Sequence, residues 1–393
     1  MRRLIRAFII IFMTLAIIFV AGEIYTRKKY ERPYLTGFLE AHPVFHHMPK
    51  VNYEGSMKSE GDFDFTFTTN NRGMRGPGDY HYEKKEGVFR IAILGDSFTF
   101  GVGVNAQETF PFVLEELLNK TRSGGLTYEV YNFGVNSFSP VLEYILLKEE
   151  VIKYKPDLVI LMLDECDVQD DYFYEPRIVY DKNGEITGCD PTKRNGKTDF
   201  YALLLKHSNF MNTLDQKLVE SFRKMKAIGL KRYFSNKIRG IRNKTDILTV
   251  RNRDNIYFDR FLMFREDKDM GIVMKHWQRT ERYIALMNDF LKKRNIPFVM
   301  AIYPYGHQVS EDQWAKGRSY WAFDEGRVYY PQWGFSVIEE FAGNQDITLI
   351  NLYERFRNRK YEPLYYDNDG HWTAEGQKIT AEGIFNAKDT YLR

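Results

Sequence analysis

A serine that follows a short apolar run and a histidine two residues after an aspartate, close to opposite ends of the chain, are the residues best placed for chemistry. The first sits in LGDSFTFG, residues 94–101. Gly95 permits a sharp exit from a strand, and Asp96 or Ser97 can cap the turn that follows. The Ser97 N–H then lies in the first turn of a helix, where it can face a developing oxyanion. The second lies in YDNDGHWTAEGQ, residues 366–377. Asp369 can accept a hydrogen bond from one imidazole nitrogen of His371 and fix its tautomer. The other nitrogen is then free to take a proton from a serine. Gly-Asp-Ser alone describes a helix cap, and Asp-x-His alone carries no message. The pair becomes informative only if one sheet brings both to the same rim.

Such a sheet is legible. VFRIAIL (88–94), residues 128–132, DLVILML (157–163), residues 297–303 and residues 347–352 read as strands. Helical patterns over 109–120, 140–154, about 275–294 and about 335–342 alternate with them, and a last helix begins near Thr373. Continuous apolar strands alternating with helices predict a parallel sheet covered on both faces. The fold class is therefore α/β, a flavodoxin-like three-layer α/β/α domain over 88–393 with about five parallel strands. A serine after the first strand would sit at the carboxyl edge, where such folds place their ligands. The stretch at about 172–270 breaks the rhythm with a polar loop (181–198) and polar helical patterns such as 199–233. It reads as a helical insertion capping the sheet. Residues 30–87 read as a stalk and β-rich cover. Pro33, Pro43 and Pro49 interrupt any helix, Phe63, Phe65 and Phe67 alternate with polar residues as in a half-buried strand, and a turn-rich loop follows.

The uncharged run AFIIIFMTLAIIFVAG, residues 7–22, follows Arg2, Arg3 and Arg6. With Leu4 and Ile5 it reaches spanning length, so residues 1–29 read as a signal anchor, a cleavable signal peptide being the alternative. A basic segment before an apolar run is an export signal and places the body outside the cytoplasm. Net charge is only +3, and no long Lys/Arg run lies beyond the N-terminus, so nucleic acid is not an expected partner. The abundant Tyr and Phe read as an aromatic-rich core. Two cysteines, Cys166 and Cys189, make no disulfide framework, although an oxidising compartment would permit a bridge. His42, His46 and His47 read as surface histidines. Asp164, Glu165, Asp167, Asp170 and Asp171 read as loop and cap residues rather than a cation site. His307 falls near the same sheet edge but has no acid two or three residues before it. No metal or organic cofactor is expected.

LGDSFTFGVGV, NFGVNSFSP (132–140), PDLVILMLDECD (156–167) and DGHWTAEG (369–376) resemble the four sequence blocks of the SGNH/GDSL hydrolase superfamily. NNRGMRG, residues 70–76, is similar to a segment ahead of the nucleophile in bacterial extracytoplasmic members. The insertion matches no block. The resemblance implies Ser97 as nucleophile and His371 as base. The acid often stands three residues before the histidine, where this chain has Asn368. Asp369 matches a variant among relatives of polysaccharide O-acetyltransferases, with Asp367 as the fallback. The second-block oxyanion donor falls on Ser137, with Gly134 three residues earlier, and the third-block asparagine falls on Cys166. A thiol is a weak donor, and losing one oxyanion donor costs about 10²–10³ in turnover. The implied function is a serine esterase acting on ester-linked acyl groups, O-acetyl foremost, of an envelope or exported carbohydrate. Its implied location is the inner membrane, single-pass, with the catalytic domain in the periplasm or outside the cell, or secretion if the segment is cleaved. The alternatives are an O-acetyltransferase working with a membrane acyl-donor protein and a catalytically silent carbohydrate-binding or assembly protein.

Overall fold

Each of the five apolar runs becomes a strand of one sheet. The computed structural model describes residues 2–29, 37–76, 78–121, 125–208, 210–211, 214, 270–321, 323–330 and 332–392. The sheet strands are β5 (Val88–Gly95), β6 (Thr127–Gly134), β7 (Leu158–Leu163), β10 (Phe298–Ile302) and β11 (Thr348–Asn351). All pair in parallel, in the order β11-β10-β7-β5-β6. Numbered along the chain this is 2-1-3-4-5, the flavodoxin-like order, with its switch point between β5 and β7. The central strands β7 and β10 are buried at every residue. Burying each Val, Leu, Ile, Phe or Met side chain stabilises the fold by about 1.5–3 kcal/mol.

Helices cover both faces. α3 (Phe110–Lys120) packs with the C-terminal α9 (Ala374–Asn386). α4 (Pro140–Glu149) and α5 (Asp167–Tyr174) pack with α7 (Met270–Lys292), and α8 (Gln332–Asn344) lies by β11. Pro111 and Pro140 open α3 and α4, where a missing N–H costs nothing.

Of the expected stalk and β-rich cover, the described residues form the cover, and the half-buried strand read at Phe63, Phe65 and Phe67 is β4. Residues 39–68 make two antiparallel hairpins: β1 (Leu39–His42) with β2 (His46–Pro49), and β3 (Glu54–Ser59) with β4 (Phe63–Thr68). Pro43 and Pro49 forbid a helix but sit at strand ends, where the ladder needs no donor from them. Phe65 and Phe67 turn inward with Phe38 and bury Phe100. The insertion also opens as a sheet element. β8 (Ile178–Tyr180) pairs with β9 (Ile186–Cys189) before α6 (Phe200–His207). The helical pattern expected over 215–233 lies outside the described residues.

α1 (Arg2–Lys29) contains a 19-residue stretch, Phe8–Thr26, long and apolar enough to cross a membrane or to serve as a signal sequence. Its large side chains are exposed, Phe8 by 71% and Ile17 by 66%. Glu23 accepts from Ser208 Oγ (2.7 Å) and from the Phe210 N–H (3.0 Å), tying the insertion just after α6 to this helix. Cys166 and Cys189 are both buried free thiols, so the bridge that an oxidising compartment would permit is not formed.

Candidate active site

Strand β5 delivers Ser97 to the carboxyl rim, at the switch point. The turn α2 (Ser97–Phe100) that carries the candidate serine is short and tightly held. Asp96 Oδ1 accepts the Phe98 N–H at 2.8 Å as its cap. Gly101 closes it at φ 83°, where a Cβ would meet Thr109 Cγ2 at 2.5 Å. The buried Arg75 guanidinium donates to the carbonyls of Gly101 and Val104, and to that of Phe100 at 3.4 Å. Burial lowers the Arg75 pKa to about 10, which still leaves it charged.

The last block lies in the turn just before α9. His371 Nε2 lies 2.7 Å from Ser97 Oγ, and His371 Nδ1 is hydrogen-bonded to Asp369 Oδ1. Because a carboxylate only accepts, Nδ1 carries the hydrogen and Nε2 presents its lone pair to the hydroxyl. The hydroxyl also lies 3.3 Å from Asp96 Oδ2. Its single hydrogen favours the shorter contact, to the imidazole. Burial acts to raise the Asp369 carboxyl, but attraction to His371 and hydrogen bonds from its ring and backbone N–H outweigh this and hold the pKa below the usual value. The three polar residues of this turn diverge. Asp367 pairs with Lys316 Nζ at 2.9 Å, and Asn368 Nδ2 donates to Asp62 Oδ1 at 3.0 Å. Asp369 faces the histidine. Gly370, at φ 91°, makes that turn possible.

The two second-block candidates separate. Gly134 N–H is already given to Asn132 Oδ1 at 2.8 Å. Its glycine is needed for space, since a Cβ would lie 2.3 Å from the Phe100 nitrogen. Ser137 is exposed and adopts φ +61°, a left-handed conformation uncommon for a residue with a Cβ. Among the described residues its N–H donates to nothing. Cys166 follows β7 at the same rim and is buried, with its thiol 3.0 Å from the Tyr305 hydroxyl. That hydroxyl also donates to Asp164 Oδ2 at 2.6 Å.

The remaining candidates have other surroundings. His307 is fully buried with its ring stacked on Phe323 at 3.8 Å. Asp164 Oδ1 accepts the N–H groups of Cys166 and Asp167, and Asp171 Oδ1 accepts that of Val141. Burial among Asp164, Glu143 and Asp96 pushes the Asp167 carboxyl well above its ordinary range. The histidines of the N-terminal hairpin are not surface residues as a group. His47 is buried, and its Nε2 lies 2.8 Å from the Asn136 carbonyl oxygen.

Several contacts to the site had no sequence signal. Asp62 Oδ2 accepts the Asp369 N–H at 2.6 Å. Gln377 Nε2 donates to the Phe98 carbonyl at 3.0 Å, and its Oε1 accepts the Phe110 N–H. Trp372, beside His371, is buried edge-on against Phe98 and Tyr303.

No protein-family model matches the chain, and no curated protein sequence does either. Solved structures similar in fold include the acetyl xylan esterase AlAXEase (13% identity, TM-score 0.38, covering 76% of this chain and 99% of that one). The acetylxylan esterase Axe2 of Geobacillus stearothermophilus is 13% identical, with TM-score 0.38 and coverage of 76% and 93%. The α/β hydrolase LAE5 from the metagenome of Lake Arreo, Spain, is 11% identical, with TM-score 0.37 and coverage of 78% and 97%. At such distances the reading of the site rests on its own geometry.

Proposed function

We propose that this chain is a serine esterase of the SGNH type. It acts through a Ser97 acyl-enzyme, with His371 as general base and Asp369 as the group that orients it. One observation carries the reading: two segments 274 residues apart meet so that the base nitrogen lies 2.7 Å from the hydroxyl, with the acid on its far side. His371 Nε2 takes the Ser97 proton as Oγ attacks the ester carbonyl. The oxyanion of the tetrahedral intermediate is received by the N–H groups of Ser97 and Ser137. The intermediate collapses, and the leaving alkoxide takes the proton from His371. Water, deprotonated by the same nitrogen, then releases the acid and restores Ser97.

The substrate class we propose is an O-acetylated carbohydrate of the cell envelope or of an exported polymer. The apolar helix α1 supports an envelope location, and the acetyl xylan esterases of similar fold are consistent with a small acyl group on sugar. The test is hydrolysis of p-nitrophenyl acetate and of an acetylated oligosaccharide by purified full-length protein. Ser97→Ala and His371→Ala are expected to lose at least about 10³-fold in turnover. Equal hydrolysis by wild type and Ser97→Ala would refute the esterase and favour a glycan-binding role. Acetyl delivered to an added oligosaccharide faster than to water would make the enzyme a transferase.

A further inference from the structure

The site is gripped from outside the sheet by the hairpins that precede it. We propose that residues 38–68 form a brace setting the catalytic geometry, with His47 positioning the Ser137 N–H and Asp62 positioning Asp369. The functional part of this inference rests on the esterase reading.

The argument for His47 begins with the peptide plane. In a trans peptide the carbonyl oxygen and the following N–H point in opposite directions. The Ser137 N–H therefore goes wherever the Asn136 carbonyl does not. That carbonyl is held by His47 Nε2 at 2.8 Å. A carbonyl only accepts, so Nε2 carries the hydrogen, and the neutral ring leaves Nδ1 bare. Nδ1 lies 2.9 Å from His46 Nδ1, which must then be the donor. Burial favours the neutral rings, lowering His47 to about 4 and His46 well below its usual value. The next carbonyl, that of Ser137, accepts the Tyr174 hydroxyl at 2.8 Å. Tyr174 in turn packs edge-on against His46 at 4.9 Å between ring centroids. Two successive carbonyls are thus pinned around a serine at φ +61°, a conformation that free serine would leave.

Asp62, in the turn between β3 and β4, does the same for the acid. Its carboxylate takes the N–H groups of Asn368 and Asp369 together with the Asn368 side-chain amide. The apolar face supports both. Phe63 meets Tyr366 at 4.9 Å, and Phe38 and Phe67 meet Phe100 of the nucleophile turn at 5.4 and 5.7 Å.

The test uses full-length protein in detergent micelles, labelled with nitrogen-15 serine or aspartate. The variants are His47→Phe, His47→Gln (which keeps a donor), Tyr174→Phe, Asp62→Ala and Asp62→Asn (which keeps an acceptor). In His47→Phe and Tyr174→Phe the Ser137 amide resonance should move or broaden while that of Asp369 stays. Asp62→Ala should reverse the pattern. On p-nitrophenyl acetate, His47→Phe and Asp62→Ala should lower kcat by about 10- to 10³-fold with KM within about twofold. Gln at 47 and Asn at 62 should restore most of it. An unmoved Ser137 amide in folded His47→Phe and Tyr174→Phe overturns the brace, as does an unmoved Asp369 amide in Asp62→Ala. Wild-type kcat in those variants also overturns its functional part. Failure of the esterase reading is separate, because it appears as undiminished turnover in Ser97→Ala, and the amide spectra still judge the brace.

Discussion

At the scale of single residues, the left-handed Ser137 makes a sharp statement. An L-residue there costs about 1–2 kcal/mol relative to its preferred conformations, and glycine removes that cost while keeping the N–H. Ser137→Gly should melt within a few degrees of wild type and keep its turnover. Ser137→Val should be less stable by about 1–2 kcal/mol, read by thermal or urea unfolding. Asp369→Asn should lower kcat by about 10³–10⁴-fold, because an amide no longer enforces the tautomer. Its pH signature follows from the lowered carboxyl. The ionised form contributes stability that is complete above the ordinary carboxyl pKa of about 4 and lost as pH falls through the lower folded value. The melting difference between wild type and Asp369→Asn should hold steady above about pH 5 and shrink on further acidification. Cys166→Asn should leave activity intact or raise it, if that rim position calls for an amide donor. Collapse of turnover in a folded Cys166→Asn variant would show that the thiol itself is needed. The Ser97 and His371 motifs were legible because each is a local string. Among Asp367, Asn368 and Asp369 the sequence put Asp369 first, with Asp367 as the fallback, by resemblance alone; the physical reason lies in the turn at Gly370, which sets which of three adjacent polar side chains faces the ring.

At the scale of elements, the sheet was legible, as was the half-buried strand over Phe63, Phe65 and Phe67, but what these supports pack against was not. Strands such as LVILML announce burial on both faces by composition alone. The hairpins over 39–68 are short, polar and interrupted by proline, and the partners that bury them lie far along the chain. His47 bonds to a carbonyl 89 residues away, so nothing around it in sequence distinguishes it from a surface histidine. Arg75 lies in the NNRGMRG segment that resemblance singled out, but its task shows only in the fold: its guanidinium closes the turn after Ser97 by filling the carbonyls of Phe100, Gly101 and Val104. Arg75→Met should strip those buried acceptors and destabilise the protein by roughly 2–5 kcal/mol in urea unfolding. Expression at lower temperature should recover folded protein with the same Ser97-dependent chemistry.

At the scale of the molecule, the exposed α1 is long and apolar enough to cross a membrane or to serve as a signal sequence, which sets it apart from the α/β domain. A chain lacking residues 2–29 is expected to leave the membrane fraction while keeping Ser97-dependent hydrolysis, measured by sedimentation and by turnover of the soluble form. Persistent sedimentation would point to a second membrane contact, because α1 and its Glu23 bonds to Ser208 and Phe210 are absent from this chain. The sequence told of the helix because apolarity on every face is unmistakable.

The brace begins at Phe38, so only residues 30–37 lie between it and the end of α1 at Lys29. Even fully extended, eight residues span about 30 Å. With α1 embedded in a bilayer, that span and the Glu23 bonds to Ser208 and Phe210 would hold the domain close over the lipid. A substrate of the proposed esterase would then have to come within that radius of the membrane, so its reach would be set by a few residues of chain rather than by diffusion.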